Sequence, residues 1–231
     1  MHALVIGASG GIGRALAEAI EARGGRVDRL SRASTPPLDL TNEASIAAAA
    51  AILSPNALAP RAPYTHIIVA TGTLHHDGVG PEKSWRQLDA ARLAHSFAVN
   101  AIGPALVARH FLPLLELKER AVIGFLSARV GSISDNRLGG WYGYRASKAA
   151  LNQLVRTLAI ELARSRPQTI CVALHPGTVD TALSAPFQRG VPAGQLFTPA
   201  QSAAHLLRVI DGLSPQDSGA LLDWAGETIA P

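Results

Sequence analysis

Ala3-Leu4-Val5-Ile6-Gly7-Ala8-Ser9-Gly10-Gly11-Ile12-Gly13 runs from a short apolar stretch through a cluster of glycines into a helical pattern from Arg14 to about Arg23. An apolar run that short, closed by glycines and followed by an amphipathic segment, reads as strand, turn and helix. Glycines at such a turn let the backbone approach a ligand closely, and the free N–H groups opening the helix suit a phosphate. A tight turn with no ligand is the plain alternative for any glycine cluster, and the placement between strand and helix argues against it. Gly24-Gly25 ends the helix, and Arg26 to Leu30 reads as a second strand.

Working outward, the second strand ends in Ser31 and Arg32. A carboxylate at the Ser31 position would hold a ribose 2′-hydroxyl and repel a 2′-phosphate. A hydroxyl followed by arginine does the reverse, which favours NADP(H) over NAD(H), unless Arg32 is only a solvated loop charge. Leu38-Asp39-Leu40-Thr41 reads as the close of a third strand, Asn42 to Leu53 as an Ala-rich helix, and Ser54 to Pro63 as a Pro-punctuated loop. His66 to Ala70 is a fourth strand opening onto Thr71-Gly72-Thr73. In the loop from Leu74 to Ser84, His75-His76-Asp77 lacks further ligands at useful spacing, so no metal is expected.

From Trp85 to Leu117 the pattern is helical, broken at Asn100 and Gly103-Pro104, where a kink with spare carbonyls would let an amide hold a water. Ala121 to Leu126 is a fifth strand, Ser127 to Gly140 a Gly/Ser/Asn-rich loop, and the next helix runs to about Arg164. Thr169 to Leu174 is a sixth strand ending in His175-Pro176-Gly177-Thr178-Val179-Asp180-Thr181. Residues 182–197 look like a mobile lid, Thr198-Pro199 starts a last helix, and Gly219 to Asp223 is a seventh strand. Strands and helices alternating in this way make an α/β fold, a doubly wound parallel sheet of about seven strands in a single domain over residues 1–231.

The chain's 231 residues suffice for one large core; 16% charged residues argue against disorder, and 5% aromatics suit Ala- and Leu-rich helices packed closely on a sheet. The net charge of +4 is scattered, which argues against nucleic acid and suits an anionic cofactor. One cysteine, Cys171 within an apolar run, allows no internal disulfide. No stretch reaches the ~18 apolar residues of a membrane span, and Met1 leads straight into a strand, so no membrane and a cytoplasmic location are expected.

Tyr144 and Lys148 are four residues apart at the start of the long helix, one above the other on a single face. A phenol with a reference pKa of about 10 is a poor acid at pH 7, and a nearby ammonium together with an oxidised nicotinamide would lower it. Alone, such a pair fits a wet helix face equally well. What decides is convergence: Gly7 to Gly13, Arg32, Asp39, Thr71-Gly72, Ser127 to Ser132 and Pro176 to Thr181 all fall at the carboxyl ends of strands, where α/β sheets bind ligands.

The sequence resembles the classical short-chain dehydrogenase/reductases over nearly its whole length. Gly7-x-x-x-Gly11-x-Gly13, Asn100, Tyr144-x-x-x-Lys148 and Pro176-Gly177 followed by Thr178, Val179 and Thr181 are similar to that family's cofactor loop, catalytic Asn, catalytic pair and carboxamide-binding segment. Gly80-Pro81-Glu82-Lys83, Gly131-Ser132-Ile133, Gly139-Gly140 and Tyr144-Arg145-Ala146-Ser147-Lys148 look like the C-factor and sniffer-type carbonyl reductase branch. The resemblance implies an NAD(P)-binding Rossmann fold, a carbonyl or alcohol substrate, and a homodimer or homotetramer built through the helices holding Asn100 and Tyr144. It implies cofactor contacts from Gly7, Ser9, Gly10, Gly11, Ile12, Gly13, Ser31, Arg32, Asp39, Leu40, Ala70, Thr71, Gly72, Tyr144, Lys148, Pro176, Gly177, Thr178, Val179 and Thr181.

This sequence departs from the family at three places. Ile6 replaces a Thr before the glycine loop, and Val69-Ala70-Thr71-Gly72 stands where Asn-Asn-Ala-Gly is usual. The catalytic serine position is Ala128, the second residue of Ser127-Ala128. Strand alternation points Ser127 away from that position, so Ser132 is the preferred donor to the substrate oxygen and Ser127 the second choice. The expected reaction is carbonyl reduction by NADPH, with Tyr144 as acid, Lys148 lowering its pKa and Asn100 positioning a water. Ala128 also motivates the alternative of a nucleotide-binding regulatory protein with little turnover.

Overall fold

A computed structural model describes residues 1–55, 61–75, 78–192 and 194–231. Its main sheet has six parallel strands: β1 (His2–Ile6), β2 (Arg26–Leu30), β3 (His66–Val69), β4 (Ala121–Leu126), β5 (Thr169–Leu174) and β8 (Leu221–Leu222), in the order β2-β1-β3-β4-β5-β8. Strands β3, β4 and β5 are buried along their whole length, as continuous apolar runs in a sheet covered on both faces must be. The outer strand β2 carries Arg26, Asp28 and Arg29, charges that blunt an open edge.

Alternation along the strands sorts the core into two layers. Ile6, Ile67, Ile123, Phe125 and Cys171 pack toward α2 (Glu43–Leu53), α4 (Gly103–Phe111) and α5 (Tyr142–Ser165). Val5, Ile68, Val122, Ile170 and Val172 pack toward α1 (Gly11–Ala22) and α6 (Pro199–Gly212). Two of these helices are capped by side chains at their starts: Asn42 accepts from Ser45 N–H, and Thr198 forms a capping box with Gln201.

The sheet has six strands rather than about seven, because residues 38–41 form no strand. Pro36 and Pro37 lack the N–H groups a ladder needs, and the Ser34 hydroxyl lies within hydrogen-bond distance of both Ser31 O (2.8 Å) and Pro36 O (2.7 Å), where the chain turns back on itself. Leu38 N–H then closes on Ser31 O at 2.9 Å. The break expected near Asn100 is a π-helical turn, Ala98–Ile102, joining α3 (Ala90–Phe97) to α4. Ala90–Leu114 is long and apolar enough to cross a membrane, an 18-residue window of it averaging a hydropathy of 1.2, although no single apolar run in it is that long. It packs on α2 and α5.

Residues 182–197 hold a 3₁₀ helix, Ala185–Gly190, and a short strand β7 (Leu196–Phe197) that pairs in parallel with β6 (Thr178–Val179). Residues 56–60 of the loop from Ser54 to Pro63, and His76 and Asp77 of the His/His/Asp group, lie outside the described residues. Among the described residues no group of His, Cys, Asp and Glu is arranged to hold a metal ion.

Candidate active site

The strand order reverses between β1 and β3, and the crevice above their carboxyl ends is where an open α/β sheet holds its ligand. Gly7 leaves β1 at φ 89°, a conformation side chains rarely adopt, and a Cβ there would lie 2.4 Å from Ala70 O. A Cβ on Gly13 would lie 2.3 Å from Gly7 O. Gly10 N–H closes the turn on Gly7 O, and the cap at Gly10 offers no side-chain bond to the first N–H groups of α1. An uncapped helix start behind a glycine cradle fits a pyrophosphate.

Two cavities of about 460 and 450 Å³ open here and share a wall of Gly10, Arg32, Ala70, Thr71, Gly72 and Thr73. The second also takes in Gly7, Ser9, Ser31, Asp39 and Leu40. Arg32 is exposed at the junction. The Ser31 hydroxyl accepts from Ala33 N–H at 3.2 Å, and Asp39 Oδ1 accepts from the N–H and hydroxyl of Thr41, which hold its carboxyl below the usual range. The first cavity adds Gly11, Ile12, Ser127, Tyr144, Lys148, Pro176, Thr181 and Leu183. Gly13 lies behind the turn, Gly177 packs against Phe197, and Thr178 and Val179 form β6; none of these four lines either cavity.

Tyr144 and Lys148 share one cavity wall, with Lys148 Nζ 6.0 Å from the centroid of the Tyr144 ring. Lys148 is 2% exposed and donates to Leu126 O at 2.8 Å. The electrostatics differ from the sequence expectation. Burial pushes the Tyr144 phenol up to about 12 and the Lys148 ammonium down to about 7. Helical spacing fixes how close the two groups are, but desolvation penalises both charged forms. In the protein alone the lysine therefore does not acidify the tyrosine.

Asn100 sits in the π turn with no exposed surface. Its Oδ1 accepts from Thr73 N–H at 2.8 Å, and its Nδ2 donates to Thr73 O and to Ser147 Oγ. That reciprocal pair ties α3 and α4 to the carboxyl end of β3, the segment where the usual asparagine is missing. Thr71 Oγ1 in the same segment is buried without a partner among the described residues. The two serines are placed in the reverse of the expected order. Ser132 faces a separate cavity with Ile133, Tyr142 and Arg145, and its Oγ lies 3.4 Å from Pro231 O. Ser127, whose N–H continues the ladder to Leu174 O at 2.8 Å, lines the Tyr144 cavity.

Sequence reasoning missed Thr73, Leu74 and His75, which line the first cavity, and Glu82. The Glu82 carboxylate is 3% exposed and accepts Gly143 N–H at 3.1 Å at the start of α5, while Glu82 O accepts Trp141 N–H. Trp141 meets Phe187, in the segment 182–197, edge-on at 5.1 Å and Tyr144 at 6.3 Å.

A family model for short chain dehydrogenase matches residues 1–191. The C-signal of Myxococcus xanthus is 39% identical over 143 residues, 62% of this chain and 80% of that protein. The 1-hydroxy-2-glutathionyl-2-methyl-3-butene dehydrogenase of Rhodococcus sp. (strain AD45) is 33% identical over 228 residues, 94% of this chain and 93% of that protein. Among solved structures, the NADPH-bound carbonyl reductase from chicken fatty liver matches with a TM-score of 0.84 at 27% identity, over 100% of this chain and 98% of that one.

Proposed function

This chain belongs to the short-chain dehydrogenase family, and on that premise we propose that it is an NADP(H)-dependent oxidoreductase interconverting a carbonyl compound and its alcohol, with Tyr144 as acid/base. The observation that carries the reading is Tyr144 and Lys148 in one wall of a cavity continuous with the glycine cradle. The chicken carbonyl reductase, named as NADPH-bound, supports the cofactor, and the Rhodococcus protein, named a dehydrogenase, supports the reaction class.

Gly7 to Gly13 and the start of α1 would hold the pyrophosphate, Arg32 with Ser31 the 2′-phosphate, Asp39 and Leu40 the adenosine end, and Pro176 to Thr181 the carboxamide. When bound, NADPH supplies the hydride. Tyr144, kept protonated by burial, gives its proton to the carbonyl oxygen. Lys148 holds the ribose hydroxyls and returns a proton to Tyr144, Asn100 fixes the backbone at Thr73 beside them, and Ser127 donates to the substrate oxygen. Leu74, Ala182 and Leu183, with Trp141 and Phe187 above, suit a mostly apolar carbonyl compound. The reading takes residues 1–231 as one cofactor-binding domain with a lid over 182–197. It includes a homodimer or homotetramer through α3, α4 and α5, supported by exposed Ile102, Leu154 and Ile160, and a cytoplasmic location.

The test is stopped-flow oxidation of NADPH against a panel of carbonyl compounds. Removing general acid catalysis in Tyr144→Phe should lower kcat by roughly 10² to 10⁴-fold, and unchanged activity would overturn the assignment. Ala128 and the likeness to C-signal favour one rival, a nucleotide-responsive regulatory protein. NADPH binding by calorimetry with no turnover on any carbonyl would select it.

A further inference from the structure

Ala128 leaves the proposed reaction without a hydroxyl at the position the family resemblance implies. Ser127, 4% exposed, lines the cavity that contains Tyr144 and Lys148, and its Oγ lies 2.6 Å from Asn152 Oδ1. Asn152 follows Tyr144 and Lys148 at successive four-residue steps, so all three stand on one face of α5. The other half of its amide is anomalous: Nδ2 is shielded from solvent and has no hydrogen-bond partner among the described residues. Native proteins keep few buried donors in that state.

Turning the amide over about its last torsion exchanges an unpaired buried donor for an unpaired buried acceptor. Nδ2 then donates to Ser127 Oγ across the same short gap, and the oxygen that replaces it is the less costly group to leave unpaired. A hydroxyl accepts and donates at once. With its lone pair engaged by Asn152, Ser127 has its hydrogen free to turn into the cavity. In the opposite orientation the hydrogen is spent on Asn152 Oδ1 and the substrate oxygen meets only lone pairs.

We propose that Asn152 is a positioning residue that holds Ser127 as a hydrogen-bond donor to the substrate carbonyl, making good the loss at Ala128. This rests on the oxidoreductase reading above. As hydride reaches the carbonyl carbon, the oxygen gains charge, accepts the Ser127 hydrogen bond and takes its proton from Tyr144. Ser127 keeps its own proton throughout, and Asn152 never touches the substrate.

A double-mutant cycle on the full chain with NADPH tests the coupling. Ser127→Ala should lower kcat by about 100-fold, the effect of removing one such donor. Asn152→Ala should lower it by about tenfold through misplacement, with KM and the NADPH dissociation constant by calorimetry within about twofold. The double variant should match Ser127→Ala alone. Additive losses, or an unchanged kcat in Ser127→Ala, would overturn the proposal while leaving the Tyr144→Phe test of the reaction itself intact. A second readout needs neither turnover nor cofactor. In the nitrogen-15 spectrum, one Asn152 side-chain amide proton should move upfield in Ser127→Ala as its acceptor is lost, and an unmoved resonance would overturn the assignment of the donor.

Discussion

Among the residues proposed for the site, Lys148 is strongly affected by burial. Its ammonium lies 2% exposed with Leu126 O as the hydrogen-bond partner, and burial pulls it down to about 7 from an ordinary 10.5. Below pH 7 the folded and unfolded chains both carry the charge, and the cost of burying it is fully felt. Between pH 7 and about 10 the folded protein releases the proton while the unfolded chain keeps it, so stability should climb with pH. At 1.36 kcal/mol per pH unit the gain is on the order of 4 kcal/mol. Tyr144 ends the climb, because above pH 10 the unfolded phenol ionises before the folded one, held at about 12. Urea unfolding from pH 6.5 to 10 should show this slope, and Lys148→Met should flatten it. A slope that survives the substitution would place the titration elsewhere. Four-residue spacing made the Tyr144–Lys148 pair legible in the sequence, but the depth at which α5 lies over β4 and β5 belongs to the assembled sheet. The direction of both pKa shifts was therefore beyond a reading of spacing.

At the scale of elements, the glycine turn is the most constrained piece. A methyl group on Gly13 would press on Gly7 O, a backbone atom that cannot swing aside. Gly13→Ala should therefore move the turn away from the start of α1, at an overpacking cost of about 1–3 kcal/mol. NADPH affinity by calorimetry should fall by about tenfold, 1.4 kcal/mol, or more. Unchanged affinity would mean that the turn is not the phosphate cradle. This turn was readable because glycine, strand and helix signals coincide there. The kink at Asn100 was readable from Gly103-Pro104, but its form was not, since a π turn is set by how α3 and α4 pack on α5. The start of α5 was legible only in part. Gly139, Gly140 and Trp141 all have positive φ, and no sequence rule places a tryptophan there. Glu82, distant in sequence, holds that start by accepting the Trp141 and Gly143 N–H groups. Residues 38–41 show the opposite error, since apolar alternation suggested a strand where two prolines remove the ladder.

Over the whole molecule, the parallel sheet and the ligand crevice followed from the alternation of strands and helices, while the burial of individual ionisable groups emerges only from packing. Two histidines show what that packing entails. His66 opens β3 and His175 follows β5, at opposite ends of the sheet. Burial, with Arg120 near one and Arg129 near the other, lowers both to about 4 against the pull of Asp211 and Asp223. His66 Nε2 and His175 Nδ1 have no described partner to repay a charge. Between pH 6.5 and 4 the unfolded chain takes up protons that the folded chain refuses, so stability falls as pH falls through that window and is fully present above it. At about 1.4 kcal/mol per pH unit, each histidine removes on the order of 3 kcal/mol, and the two together a large share of a typical domain's 5–15. The urea midpoint should therefore drop steeply from pH 6.5 to 4.5. His66→Gln should reduce the slope by about half, because the two histidines are far apart and their effects add. An equal slope in wild type and variant would mean that acid sensitivity comes from the carboxylates instead.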